Sequence, residues 1–345
     1  MERSNFLPQS MGIILLDKAY GVSSNTAMQR IRRGLTIKKM GHTGTLDPLA
    51  TGMLPLCFGQ ATKLCSYFLE ADKTYQTRIS LGEQRSTGDQ EGEIIKTQAV
   101  PELNQENLEN ILKNFIGPQT QIPPMYSALK KDGKALYQLA REGIEIEREA
   151  RNINILKINL LGFKTSPELN NLDNYLDLEI TCSTGTYIRT LGEDIAKALG
   201  TVGYLSSLRR VSCANFKESE MHTEQEILEN LNNLNGPENL KKYVLSPEQA
   251  LGWPVLELSE EIFIKLLQGK NPEFYIPENM PNGMVFLAGA DAEIVSPLAG
   301  ETDQETFGRL GREGAEIKAF GEIGPDLTQD PASGARILKW RTFLI

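Results

Sequence analysis

Residues Gly41–Gly59 read GHTGTLDPLATGMLPLCFG, and Asp47 is the sole formal charge between Lys39 and Lys63. Glycines, threonines, prolines and apolar residues surround it. Asp-Pro favours turns, so a turn-capping aspartate is the plain structural reading. A cap does not require the whole interval from Met40 to Thr62 to be bare of other charges. A phosphate-binding loop would place Lys-Ser/Thr after the second glycine, whereas Gly44 is followed by Thr45-Leu46. Aspartate-assisted magnesium chemistry calls for further carboxylates, and the next acid is Glu70. No matched second site suggests an aspartic dyad. A carboxylate working alone, as nucleophile or general base, remains.

Such a group is costly in an apolar loop unless it is paired, because desolvation alone would raise its pKa and neutralise it. Arg189 is the candidate cation. It opens an amphipathic helix, GTYIRTLGEDIAKALG (Gly185–Gly200), whose apolar face carries Ile188, Leu191, Ile195 and Leu199 and which Gly200 ends. A guanidinium there would hold Asp47 ionised and orient it bidentately. A surface arginine is the plainer alternative, made less attractive by Tyr187 and Ile188 beside it.

Working outward, Gly12–Asp17 reads as a short buried strand. Ser23, Ser24 or Asn25 can cap a helix with Met28, Ile31 and Leu35 on one face. Its other face and the next loop carry Arg30, Arg32, Arg33, Lys38 and Lys39 without an acid between them, either a solvated face or an anion-binding surface. A helix is expected near Gln60–Glu70. Thr74–Leu81 alternates, with Tyr75, Thr77, Ile79 and Leu81 on one side, hence a strand. Leu108, Ile111, Leu112 and Phe115 have helical spacing up to Gly117-Pro118. Ile122–Gly143 opens with Pro123-Pro124 and carries helix-like segments around Asp132-Gly133. Ile153–Leu161 and Tyr175–Cys182 are strand-like.

The chain has 345 residues, 40% hydrophobic and 23% charged, enough for a sizeable core and one large or two ordinary domains. No 18-residue apolar run suggests a membrane helix, and MERSNFLPQS does not resemble a signal peptide. The four cysteines lack a framework and are expected as reduced, mostly buried thiols of a cytoplasmic protein. Two histidines, His42 and His222, and scattered carboxylates suggest no metal site. Charge is unevenly spread. Residues 1–217 hold 26 Lys and Arg against 23 Asp and Glu, net +3; residues 218–345 hold 10 against 22, net −12. Residues 218–245, rich in Glu and Asn, read as a linker-like or surface segment, and 251–345 as a small, mainly β module ending in ILKWRTFLI; roughly 299–315 show no pattern. The expected division is 1–250 and 251–345.

GHTGTLDPLATGMLPLCFGQATK (Gly41–Lys63) closely resembles the catalytic motif of TruB-type tRNA pseudouridine synthases. LLDKAYGVSS (Leu15–Ser24), KTYQTRISLG (Lys73–Gly82), IPPMYSALKKDGKALYQLAREG (Ile122–Gly143), GTYIRTLGEDIAKALG and LSSLRRVS (Leu205–Ser212) resemble further motifs of that family, in family order, over about residues 11–217. The resemblance implies an α/β (α+β) fold with a mixed, largely antiparallel sheet and flanking helices; the C-terminal part faintly resembles a PUA-like module. It also implies isomerisation of a T-loop uridine of tRNA, position 55, to pseudouridine, with base flipping and without cofactor. On that basis Asp47 is the essential carboxylate, Tyr75 stacks on the uracil, Arg189 pairs with Asp47, Leu208 packs in the base pocket, and His42 fills the space the base leaves. Arg30, Arg33, Lys39, Lys130, Lys131, Arg209 and Arg210 become expected phosphate contacts. The expected partner is the T-arm of tRNA, with the chain a monomer needing no obligatory protein partner. EQRSTGDQEG retains only Asp89 where relatives often have a second Asp-containing turn, and no catalytic role is assigned to it. A guide-RNA-dependent relative fits less well, and a tRNA-folding chaperone would use the same surface with or without catalysis.

Overall fold

In the computed structural model, residues 11–168, 173–230, 241–268, 270, 276, 281, 283–289, 308–310, 317–325 and 336–343 are described. Two compact units emerge, the first including Ile14–Leu56 and Leu64–Tyr243, the second including Cys57–Lys63 and Val244–Ile345.

Along the chain run β1 (Met11–Lys18), α1 (Ser24–Gly34), β2 (Met40–His42), β3 (Thr51–Gly59), α2 (Cys65–Glu70), β4 (Lys73–Leu81), β5 (Glu83–Arg85), β6 (Ile94–Thr97), α3 (Gln105–Lys113), β7 (Gly117–Gln121), β8 (Lys130–Lys131), β9 (Lys134–Ala135), α4 (Leu136–Arg141), β10 (Arg151–Lys164), β11 (Tyr175–Cys182), α5 (Ile188–Ala198), β12 (Gly203–Cys213), β13 (His222–Thr223) and α6 (Glu224–Glu229). A nine-stranded mixed sheet has the order β13-β1-β3-β12-β4-β11-β10-β7, with β2 beside β3. The pairs β1–β13 and β3–β12 are parallel; β4 is antiparallel to both β12 and β11, and β10 to both β11 and β7.

Period-two patterning produces this sheet. Ile13 to Leu16 form a buried run in β1, and Leu176, Leu178, Ile180 and Cys182 alternate inward on β11. Helix α1 is capped by Ser23, whose side chain accepts from Thr26 N, and buries Ala27, Met28 and Ile31. A cap of this kind contributes about 1 kcal/mol. Helix α5 buries Ile188, Leu191 and Ile195, and Gly200 ends it at φ +83°. The Gln60–Glu70 helix is a 3-10 turn, Gln60–Leu64, running into α2.

Two expectations change. The segment around Asp132-Gly133 is a two-stranded ribbon, with Lys130 opposite Ala135 and Lys131 opposite Lys134. Asp132 (φ 51°) and Gly133 (φ 82°) both adopt left-handed backbone, the geometry of a two-residue hairpin turn, so only Leu136–Arg141 is helical. Within 218–245, His222–Thr223 extend the sheet and Glu224–Glu229 form a helix, so this part is not a linker. Thr223 and Glu226 form a capping box, and Ile227 is fully buried. Residues 231–240 lie outside the described residues.

The second unit holds a five-stranded sheet of Gly308–Leu310, Val255–Leu258, Gly283–Gly289, Ile317–Pro325 and Arg336–Phe343, in that order. Leu256, Leu258, Ile262, Phe263, Leu266, Val285, Leu287 and Ala319 form its core. It is the small β module expected from the sequence. Apart from the strand Gly308–Leu310, the patternless stretch 299–315 lies outside the described residues. No described helix is long and apolar enough to cross a membrane, and Cys57, Cys65, Cys182 and Cys213 are thiols outside any disulfide.

Candidate active site

The Asp47 loop links β2 to β3 and is fastened to the turn between β1 and α1. Ser24 Oγ accepts from Leu46 N at 2.7 Å and donates to Leu46 O at 3.0 Å. Gly21 N donates to Pro48 O at 2.8 Å. Lys18, 1% exposed, directs its ammonium at the carbonyls of Val22 (2.6 Å), Ala19 (3.0 Å) and Pro48 (3.4 Å). Burial pushes the Lys18 pKa down to about 8 against the opposing pull of Asp47. Downstream, Gly52 (φ +96°) lies so close to β12 that an added Cβ would meet Arg210 O at 2.2 Å. Only glycine meets both demands.

Arg189, 4% exposed, reaches this loop from the first turn of α5. Its Nε lies 3.0 Å from Asp47 Oδ2 and 3.7 Å from Asp89 Oδ2. Its terminal nitrogens donate to Thr87 O (2.9 Å) and Tyr126 O (2.6 Å). The guanidinium is thus spread over two carboxylates and two carbonyls. The Asp47 side chain remains 37% exposed on one side. Burial on its other sides pushes its carboxyl above the ordinary value; Arg189 opposes the rise and Asp89 adds to it. The ion pair therefore offsets the desolvation that the sequence implies without cancelling it.

A cleft of about 310 Å³ opens at the pair. Asp47, Tyr75, Arg189 and Leu208 all line it, so residues far apart in sequence converge there. Tyr75 lies on β4, opposite Ile180 on one side and Arg210 on the other. Its ring is largely buried, and burial pushes its phenol pKa up. Lys73 and Arg210 complete the charged lining, in which Asp47 is the sole carboxylate among the described residues. The Lys73 ammonium donates to the carbonyls of Phe68, Leu69 and Ala71 at the end of α2.

His42 is not among the lining residues. It sits half-buried on β2 with Nδ1 enclosed and lacking a hydrogen-bond partner. Burial, then Arg210, pushes its imidazole below the ordinary value. Arg33, Lys39, Lys130 and Lys131 are exposed; Arg30 is exposed but 3.5 Å from Glu224.

Arg209 and Arg210 do not match the expected pair of surface phosphate contacts. Strand alternation sends them to opposite faces of β12. Arg210 is 1% exposed, donating to Met53 O and Gly44 O. Arg209 is engaged by Asp17 at 2.8 and 2.9 Å and by Glu218 at 2.7 Å.

Asp89 is the second carboxylate beside Arg189, one that sequence reasoning missed. It is 4% exposed and accepts from Thr87 Oγ1 (2.5 Å) and Glu91 N (3.1 Å). In a polar turn it reads as a turn residue. The available signal was Arg189 itself, since a buried guanidinium has five N–H donors and one carboxylate cannot satisfy them. Lys18 was likewise legible as a charge at the end of the buried strand expected at Gly12–Asp17.

Residues 32–188 match the family model of the TruB family pseudouridylate synthase N-terminal domain, and residues 189–252 that of the tRNA pseudouridylate synthase B C-terminal domain. Proteins named tRNA pseudouridine synthase B are similar over much of the chain. That of Marinomonas sp. is 52% identical over 62% of this chain and 67% of its own length. That of Nitrosococcus oceani is 45% identical over 80% and 86%, and that of Pseudomonas aeruginosa 45% over 75% and 82%. Among solved structures, a Cbf5-Nop10-Gar1 complex contains a chain of the same fold, with TM-score 0.65 at 20% identity, covering 97% of this chain and 85% of that one. With both family models matched in succession and relatives near half identity, the chain belongs to the TruB family of pseudouridylate synthases.

Proposed function

We propose that the cleft receives the uridine at position 55 of the tRNA T-loop, flipped out of its stack, and that Asp47 is the one carboxylate essential to its isomerisation. The broader activity, conversion of tRNA uridine to pseudouridine, follows from the family. In that reaction the N1–C1′ bond breaks, the uracil turns, and a C5–C1′ bond forms. C5 loses its proton and N1 gains one, so no redox partner or group donor is consumed.

The observation that carries the reading is the single carboxylate in a cation-rich cleft, held by buried Arg189 and sharing the space with Tyr75. At about 310 Å³ the cleft lies at the small end of ordinary ligand sites, roughly 300–1,000 Å³. Flipping costs roughly a few kcal/mol. Stacking of the uracil on Tyr75 returns roughly 1–3 kcal/mol, and Leu208 packs against the base. Asp47 has three steps open to it: attack on the base, attack on the sugar, or removal of a sugar proton. Each requires an ionised oxygen aimed at the nucleoside, which Arg189 provides. His42, biased toward its neutral form, is suited to fill the space the base leaves. Arg33, Lys39, Lys130 and Lys131 serve the phosphates.

The reading treats the chain as a cytoplasmic monomer acting on the T-arm without cofactor, metal or guide RNA. Relatives at 45–52% identity carry the tRNA enzyme's name, which favours it over a guide-dependent role.

The test incubates the purified chain and its Asp47→Asn variant with unmodified tRNA transcript and maps pseudouridine by chemical labelling and primer extension. One new pseudouridine at position 55, absent with the variant while tRNA binding persists, is expected. A folded, tRNA-binding wild-type chain that leaves that uridine unchanged would sink the reading and favour an RNA-folding role.

A further inference from the structure

We infer that Gln121 is a positioning residue for the reaction, setting the direction from which Arg189 meets Asp47. The inference rests on the Asp47–Arg189 reading above. Helix α5 begins at Ile188, and its preceding residue Tyr187 supplies no side-chain cap. Gln121 replaces that cap from another strand. Its Oε1 accepts from Tyr187 N at 2.8 Å and its Nε2 donates to Tyr187 O at 3.1 Å. Tyr187 O also accepts the first helical bond, from Leu191 N at 3.1 Å. The amide thus grips both backbone groups of the residue two before Arg189.

Gln121 is itself rigidly placed. It is 6% exposed and ends β7, where it pairs with Arg151 of β10. Five residues further on, Tyr126 O accepts from Arg189 Nη2. One short segment, Gln121–Tyr126, therefore holds α5 at its entry and the guanidinium at its tip. Few other side chains can do the first task. Glutamate lacks the donor and would set an oxygen against Tyr187 O, and asparagine is one methylene too short.

Misplacement of a group by about 1 Å can cost up to about 10²-fold in rate. For Gln121→Glu and Gln121→Ala the expected result is a fall in kcat of about 10- to 100-fold on unmodified tRNA transcript, with KM within about twofold. The acid limb of the kcat profile should also move to higher pH, because a displaced Arg189 no longer opposes protonation of Asp47. A purely structural role would lower Tm and leave kcat per folded molecule and the acid limb in place, which would overturn the inference. Gln121→Glu, nearly isosteric, provides a folded variant should Gln121→Ala fail to fold. Arg189→Ala run in parallel separates the two readings. Normal turnover there sinks the ion pair itself; lost turnover there with unchanged Gln121 variants sinks only the role of Gln121.

Discussion

Arg189 Nε lies 3.0 Å from Asp47 Oδ2, a close ion pair between a buried guanidinium and a partly open carboxylate. Asp89 Oδ2 stands 3.7 Å from the same nitrogen. One cation thus serves an open acid and a buried one, and the carbonyls of Thr87 and Tyr126 fix its plane.

Arg189→Lys should therefore fail although it keeps the charge. An ammonium cannot span two carboxylates and two carbonyls in a fixed plane. A loss in kcat of about 10²-fold or more is expected, on the scale of removing one preorganised charge contact. Single-turnover kinetics on tRNA transcript would measure it, and a loss under threefold would refute the pairing.

Asp89→Asn should shift the acid limb of the kcat profile to lower pH, opposite to the Gln121 variants. The Asp89 charge adds to the rise of the Asp47 pKa, so its removal favours ionised Asp47 at a given pH. An unmoved limb would show that Asp89 does not act on Asp47.

Lys18 predicts a pH-dependent stability. Its folded-state pKa is about 8 against an ordinary 10.5, so between these values the unfolded chain binds more protons and stability rises with pH. Urea midpoints at pH 7.5 and 9.5, compared between wild type and Lys18→Met, isolate this contribution. The wild type should gain more than the variant across that interval; equal changes would contradict the assignment.

The two arginines of β12 should separate from the exposed basic residues in tRNA binding. Arg33→Ala and Lys130→Ala should each reduce the slope of log affinity against log salt by about 1 or less. Arg210→Met should leave that slope alone and instead lower stability, since it strips the buried Met53 O and the half-buried Gly44 O of their donor. A slope change with Arg210→Met would restore it as a phosphate contact.

Gly52→Ala should be among the most damaging small changes. It forces a side chain onto left-handed backbone and against the carbonyl of Arg210. A loss of about 3 kcal/mol or more is expected from strain and displaced sheet pairing. A thermal shift under two degrees would show that β3 and β12 can part without cost.

The sequence alone determined the strands and helices that carry strong periodicity, because β11 and α5 each have one apolar face to bury. It also singled out Asp47, since a carboxylate within a long uncharged interval demands either a partner or a task. Arg189 was legible as that partner from its apolar neighbours. What the sequence could not show was how many groups share one cation, because Asp89 sits in a polar turn and becomes a partner only once β12 brings Leu205 beside Gly88 and Gln90. Nor could local spacing tell Arg209 from Arg210, whose roles depend on which face of β12 is covered. The turn at Asp132-Gly133 was misread because two short strands leave almost no periodicity, while backbone geometry there follows from left-handed φ angles. Tertiary structure decided these points because charges, unlike apolar stripes, acquire meaning only from the groups that surround them after the sheet has closed.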